Sequence, residues 1–158
     1  MEKYIIRDIK ENEYDILKDF LYEAIFIPEG VEKPSKDIIN KDELQVYIKN
    51  FGNQKGDYCL MAEINNKVVG ACWTRIMNDY GHVDDNTPSF AISLYEEYRG
   101  NGIGTQLMIK MLEKLKNVGY SQASLAVQKA NYAVKMYKKV GFKIIDENEE
   151  EYIMICNF

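Results

Sequence analysis

The sequence predicts a mixed α/β domain, and three features of the chain lead to that prediction. Apolar residues repeat with helical spacing in several separate stretches, and short β-rich runs lie between them. A glycine-rich turn joins one predicted strand to the clearest helix. A strand–helix–strand unit around such a turn implies parallel strands with a right-handed crossover. The length of 158 residues suits one domain over 1–158.

Four helices are predicted from apolar residues spaced at i, i+3, i+4 and i+7. The third covers 103–118 and is stopped by Gly119, and the fourth starts at the N-cap residue Asn131 and ends at Gly141. A loop is expected over 28–35. The predicted inner faces are Leu17, Phe20, Leu21 and Ala24; Leu44, Tyr47, Ile48 and Phe51; Leu107, Met108, Met111, Leu112, Leu115 and Val118; and Ala133, Met136, Tyr137 and Val140.

Seven β-rich runs complete the predicted order β, α, α, β, β, β, α, β, α, β, β. The second and third runs are separated by Asn65-Asn66-Lys67, which indicates a hairpin. A polar loop over 77–88 precedes the fourth run. The predicted strands are 3–7, 58–64, 68–76, 90–94, 121–128, 142–145 and 152–156.

Composition excludes several classes of protein. No run approaches the roughly 18 apolar residues of a membrane helix, and the charged N-terminus lacks a signal-peptide core. Three widely spaced cysteines, Cys59, Cys72 and Cys156, form neither a disulfide framework nor a metal site. A net charge of −5 argues against nucleic acid as a partner. We therefore expect a cytoplasmic protein without a metal.

The charges are unevenly distributed along the chain. Residues 1–100 hold 19 acidic and 12 basic residues, whereas 101–145 hold eight lysines and a single acid, Glu113. The first part would favour a cationic ligand and the second an anionic one. Ordinary solvated faces explain the same counts, so both interpretations stay open.

The glycine-rich turn over 98–105 reads Tyr-Arg-Gly-Asn-Gly-Ile-Gly-Thr and opens the third helix. Glycines let the backbone approach a ligand, and the helix N-terminus adds a partial positive charge, so the turn predicts a phosphate cradle. A dinucleotide fingerprint fails because Thr105 replaces its last glycine, and a P-loop fails because Gln106 replaces its lysine. A nucleotide-binding α/β protein is thereby disfavoured.

Two motifs together resemble the GNAT superfamily of N-acetyltransferases. Residues 98–104 resemble its pyrophosphate-binding motif, and residues 127–142 resemble its later motif, a strand leading to Asn, Ala and then Tyr-x-x-x-Gly-Phe. The element order also matches across nearly the whole chain. The resemblance implies a three-layer fold with a central, mixed, twisted sheet of about six or seven strands flanked by helices.

The resemblance also implies acetyl-CoA as the acyl donor and a set of site residues. The fourth strand would carry a bulge, with the Leu94 N–H stabilising an oxyanion, and Tyr137 would act as general acid on the leaving thiol. Asn131 would contact the cofactor, cap its helix, or do both. The implied cofactor-binding residues are Ile92, Ser93, Leu94, Arg99, Gly100, Asn101, Gly102, Ile103, Gly104, Thr105, Asn131 and Tyr137.

The general base is the point at which this sequence departs from the family. Many relatives place a glutamate near the start of the fourth strand, where Ser89 stands here. Asp84 or Asp85 in the preceding loop are the substitutes that we predict. Glu29, His82 or a water chain remain alternatives.

These inferences predict an N-acetyltransferase in which the amine attacks acetyl-CoA directly, since no cysteine lies in either motif. The acceptor would be a small cationic amine, or less readily a protein amine. The rival interpretation is a non-catalytic acyl-CoA-binding sensor or interaction module. A homodimer would form if the strand over 152–156 paired between subunits.

Overall fold

The computed structural model describes residues 3–158 and contains a seven-stranded sheet in the order β1-β2-β3-β4-β5-β7-β6. Neighbouring strands are antiparallel except β4 and β5, which are parallel. The strands are β1 Ile5–Asp8, β2 Tyr58–Ile64, β3 Lys67–Arg75, β4 Ser89–Leu94, β5 Gln122–Gln128, β6 Lys143–Glu147 and β7 Glu151–Asn157. The α-helices are α1 Leu17–Glu23, α2 Asp42–Gln45, α3 Ile103–Asn117 and α4 Ala133–Val140, and short 3-10 helices cover Glu11–Ile16, Lys36–Asn40 and Glu96–Tyr98.

The helices cover both faces of the sheet, as the fold prediction requires. α3 and α4 pack over a core that contains Leu107, Met111 and Tyr137. α1 and the segment around α2 pack on the opposite face, against a second core that contains Phe20 and Trp73. The predicted three-layer fold and element order are therefore confirmed, with strand bounds shifted by one or two residues.

The second helix is shorter than its apolar pattern predicts. The predicted face does point to the core, but only Asp42–Gln45 are α-helical and turns follow to Phe51. Several backbone carbonyls of this segment accept hydrogen bonds from buried side chains, where a longer helix would have backbone N–H donors. Arg75 Nη1 donates to the oxygens of Val46 and Lys49, and Trp73 Nε1 donates to that of Tyr47.

Two further expectations are wrong. The β3–β4 register runs without a shift from Gly70↔Leu94 to Arg75↔Ser89, so β4 has no bulge toward β3. The register shifts lie in the β2–β3 and β6–β7 pairs, where Val69 and Ile145 are the extra residues. The strand over 152–156 is not free to pair between subunits, because β7 lies between β5 and β6. The β6–β7 hairpin makes β6 the edge strand.

The junction of β4 and β5 positions the functional site. These two strands share one paired position, Ser89↔Ser124, and separate beyond it. The predicted cleft between two splayed parallel strands is thus present in the structure. No helix within residues 3–158 has both the length and the apolar character to cross a bilayer.

Candidate acetyl-CoA site

A cleft of about 510 Å³ opens where β4 and β5 separate. The C-terminal half of β4 and the start of α3 form one wall, and α4 forms another. The end of α1 and the chain that follows it close the third side, of which the sequence had marked only the part within 28–35 as a loop. The residues of this third wall are Tyr22, Glu23, Ala24, Ile25, Phe26, Ile27, Val31, Lys33 and Pro34.

The glycine-rich turn lies at one end of this cleft. Gly100 and Gly102 have φ of +79° and +85°, a region that side chains rarely adopt, and a Cβ on either would meet nothing within 4 Å. The first intrahelical bond of α3 runs from Gln106 N to Gly102 O, so the preceding N–H groups have no helical partner. Open space beside N–H groups at a helix N-terminus suits an anion.

Ten of the twelve predicted cofactor-binding residues line the cleft. The exceptions are Asn101, which is exposed outside it, and Ile103, whose side chain is 1% exposed in the core. The ten that line it are Ile92, Ser93, Leu94, Arg99, Gly100, Gly102, Gly104, Thr105, Asn131 and Tyr137.

The Arg99 side chain holds the turn against two other elements. Its Nε donates to the Leu94 oxygen at 2.9 Å, and its Nη2 donates to the Glu23 oxygen at 3.3 Å. The guanidinium thereby ties the turn to the end of β4 and to the end of α1. Sequence reasoning had assigned Arg99 to cofactor binding without this positioning role.

The Leu94 N–H faces the cleft. Tyr95 N donates to Val69 O on β3, and alternate residues of an antiparallel strand direct their amides to opposite edges. Leu94 therefore directs its N–H and C=O away from β3, and the C=O accepts a hydrogen bond from Arg99 Nε. The N–H is left on the side where β5 has moved away.

Tyr137 brings a buried phenol to the cleft. Its side chain is 8% exposed and packs edge-to-face with Phe142, with ring centroids 6.2 Å apart. Burial raises the pKa of the Tyr137 phenol well above its usual range. The hydroxyl consequently stays protonated at neutral pH and can donate a proton.

Asn131 caps the last helix by accepting a hydrogen bond from Ala133 N to its Oδ1 at 2.9 Å. We expect Asn131→Ala to lower the free energy of unfolding by about 1 kcal/mol through loss of this cap. Asn131→Asp should keep the cap and the stability. If Asn131 also contacts CoA, the aspartate will weaken CoA binding in calorimetry, whereas unchanged binding by Asn131→Asp would leave capping as the role.

The structure does not bring the predicted bases to the cleft. Asp84 accepts hydrogen bonds from Thr87 Oγ1 and Asn86 N, and the Thr87 bond is the main reason its pKa is lowered. Asp85 is 92% exposed and lies 3.4 Å from His82 Nε2. Asp84, Asp85, His82 and Glu29 are all absent from the lining of the cleft.

Asp79, in the same loop, is the carboxylate that sequence reasoning missed. It lies half-buried beside Ser89, and burial raises its pKa. In the local sequence, Asp79 differs from Asp84 and Asp85 only in lying near the end of β3, and that position is the one signal that could have favoured it.

A comparison with protein families decides the relationship. The family model described as an acetyltransferase (GNAT) domain matches residues 22–155, most of the chain. The chain belongs to the GNAT family.

Curated relatives and solved structures agree with GNAT membership. The chain is 30% identical over 104 residues to the [ribosomal protein bS18]-alanine N-acetyltransferase of Haemophilus influenzae, covering 63% of this chain and 66% of that protein. It is 33% identical over 108 residues to the thialysine N-epsilon-acetyltransferase of Mus musculus, covering 63% of each. This GNAT chain thus spans just under two thirds of the length of these relatives.

The fold resembles that of the PaiA N-acetyltransferase of Thermoplasma acidophilum, solved in complex with coenzyme A. The TM-score is 0.73 with 99% of each chain covered, and the sequence identity is 19%. At that identity the likeness establishes the GNAT fold alone.

Proposed function

We propose that this GNAT protein transfers an acetyl group from acetyl-CoA to a primary amine. One observation carries the proposal: a single cleft joins an anion cradle at the start of α3 to a buried phenol on α4. A donor with phosphates at one end and a thioester at the other requires both features.

The residues of the cleft fit acetyl-CoA as the donor. The N–H groups at the start of α3 would bind the pyrophosphate, with Gly100 and Gly102 leaving room for it. The backbone of Ile92–Leu94, free of β5, would hold the pantetheine arm. When bound, acetyl-CoA supplies an acetyl group activated as a thioester.

Two groups of the chain would act on the thioester. The Leu94 N–H donates a hydrogen bond to the carbonyl oxygen, where negative charge develops during attack. Tyr137 gives a proton to the sulfur as the C–S bond breaks. Both groups line the same cleft, on β4 and on the neighbouring α4.

Direct attack by the amine within a ternary complex is favoured over a route through an acyl-cysteine. Cys59, Cys72 and Cys156 are all buried, and none lines the cleft. Burial raises the pKa of each thiol, which disfavours the thiolate that nucleophilic catalysis needs.

The acceptor is proposed to be a small cationic amine. The acidic balance of residues 1–100 attracts such a molecule. Two of the relatives are named as acetyltransferases of alanine and thialysine amino groups, which supports an amine.

Calorimetric titration with acetyl-CoA and with CoA tests the donor site. We expect Gly102→Glu to weaken binding about tenfold or more, since its carboxylate would repel the pyrophosphate in the cradle. Gly119→Glu is the matched control: Gly119 also has positive φ, also has open space around it, and follows the other end of α3. Equal effects of the two substitutions would contradict the site.

Turnover of acetyl-CoA against a panel of amines separates catalysis from a sensor. We expect thiol release with at least one cationic amine. Binding of acetyl-CoA with no turnover across the panel would favour the non-catalytic acyl-CoA-binding module.

A further inference from the structure

We propose that Asp79 is the catalytic base, taking a proton through water from an acceptor amine that enters from the face of the sheet carrying α1. This inference rests on the acetyl transfer proposed above. Asp79, like Asp84 and Asp85, does not line the cleft, but it lies beside Ser89, where β4 and β5 part, whereas Asp84 is held by Thr87 and Asp85 is 92% exposed.

Asp79 is held at the point where β4 and β5 part. Tyr47 Oη donates to its Oδ2 at 3.0 Å, and Ser89 Oγ donates to its Oδ1 at 3.5 Å. Ser89 forms the one paired position of the two strands with Ser124, and the two hydroxyls lie 3.1 Å apart. The carboxylate therefore adjoins the apex of the opening.

The loop carrying Asp79 also reaches past that apex along β5. A Cβ at Gly81 would lie 3.1 Å from Ala126 N and 3.3 Å from Asp79 Oδ2. Ala126 follows Ser124 by two residues, in the part of β5 that β4 no longer pairs. Gly81 thus lies between the Asp79 carboxylate and the open stretch of β5.

Asp79 has no basic partner, in contrast to the other buried aspartate. Asp57 is fully buried and forms a bidentate pair with Arg75. Within residues 3–158 no lysine, arginine or histidine forms a salt bridge with Asp79. A half-buried carboxylate without a positively charged partner lowers stability, and such groups concentrate at functional sites.

Asp79 and Tyr137 approach the opening from opposite faces of the sheet. Side chains alternate along β4, so Ser89 shares the face of Ala91, which packs in the core under α1. Tyr137 packs in the core on the α3 and α4 face. The base and the acid thus serve the opening from opposite faces. Asp79 adjoins Ser89, five residues or about 16 Å of strand from Leu94, so water within the opening carries the proton to it.

The protons balance with these two groups. The acceptor enters as an ammonium and gives one proton to Asp79, which releases it to solvent. The free amine forms the new C–N bond, the C–S bond breaks, and its electron pair goes to sulfur. Tyr137 protonates the sulfur and recovers the second proton from nitrogen, which leaves a neutral amide and the CoA thiol.

Three titratable groups face Asp79 and will influence its pH dependence. Tyr47 comes from the segment after α2, His82 from the same loop and Glu151 from β7. Burial is the main reason that the pKa of Asp79 is raised, and the Tyr47 hydrogen bond and His82 oppose the rise. Asp79 must be ionised to act, so activity should fall on the acid side at a pH above the usual pKa of an aspartate.

The test is the pH profile of kcat/KM for Asp79→Asn with an amine that the wild type accepts. At neutral pH we expect a loss of about 100-fold. The loss should shrink as the pH approaches the pKa of the amine, because the free amine then needs no base. Asp15→Asn, a substitution of a 92% exposed side chain on the α1 face, is the charge-matched control and should behave as wild type.

Two further measurements separate a base from a structural residue. The CoA dissociation constant of Asp79→Asn should equal that of wild type. Its melting temperature should be unchanged or higher: the folded pKa lies above the unfolded one, so the charge destabilises the folded protein at neutral pH. Weaker CoA binding or a lower melting temperature accompanying the loss would overturn the proposal.

The remaining outcomes are equally decisive. A deficit that is constant across pH, or one that appears in Asp84→Asn or Asp85→Asn instead, would also overturn the assignment. Failure of the wild-type protein to bind CoA would instead contradict acetyl transfer itself. That result is separate from the Asp79 assignment, because it is measured on the wild type alone.

Discussion

Arg75→Met should lower the free energy of unfolding by about 3–5 kcal/mol, because it strands a buried carboxylate. Arg75 is 2% exposed, and its Nε and Nη2 lie 2.9 and 2.8 Å from the two oxygens of Asp57. Its Nη1 satisfies the carbonyls of Val46 and Lys49. The substitution therefore removes four hydrogen bonds, two from β3 to the turns after α2 and two to Asp57 just before β2. Chemical denaturation at neutral pH measures the loss.

Arg7→Met provides the comparison, since Arg7 is also ion-paired, with Glu13 and Glu63, but its side chain is 20% exposed. There we expect a loss of about 1 kcal/mol. Adding Asp57→Asn to Arg75→Met should recover part of the stability by removing the uncompensated charge. Equal losses of unfolding free energy for Arg75→Met and Arg7→Met would show that burial of the Arg75–Asp57 pair does not increase its contribution to stability.

Tyr137→Phe should lower kcat by about 10²- to 10⁴-fold, the usual range for loss of a general acid. The phenylalanine keeps the ring packed against Phe142, so the CoA dissociation constant and the melting temperature should stay unchanged. Steady-state kinetics together with calorimetry on the same preparation check the expectation.

Tyr120→Phe is the matched control for Tyr137→Phe. The Tyr120 hydroxyl is also buried and has no hydrogen-bond partner within residues 3–158, but it lies beyond the far end of α3. It should leave kcat unchanged. A kcat of Tyr137→Phe within a few-fold of wild type would remove Tyr137 as the acid and leave the phenol a core residue.

The sequence was sufficient to predict the sheet, three of the four helices and the glycine-rich turn before α3, because each rests on local patterns. The Asn65-Asn66 turn is one case: both residues have positive φ, as a two-residue hairpin requires, and the strands meet there as predicted. Gly102 is another, since a left-handed glycine before a helix is a local requirement.

Features that depend on distant side chains could not be predicted. The shortening of α2 follows from Arg75 and Trp73, which lie about 25 to 30 residues away and take its carbonyls. The choice among loop aspartates follows from Tyr47 and Ser89, which no local pattern connects to Asp79. Both are tertiary effects that override local propensity.

The single paired position between β4 and β5 makes that junction a seam that divides the sheet into two ladders. β1–β4 and β5–β7–β6 are each continuous, whereas Ser89↔Ser124 is the one paired strand position between them. Each ladder contains at least one buried thiol: Cys59 and Cys72 lie in β2 and β3, and Cys156 lies in β7. Alkylation rates followed cysteine by cysteine would therefore record how far one ladder opens independently of the other.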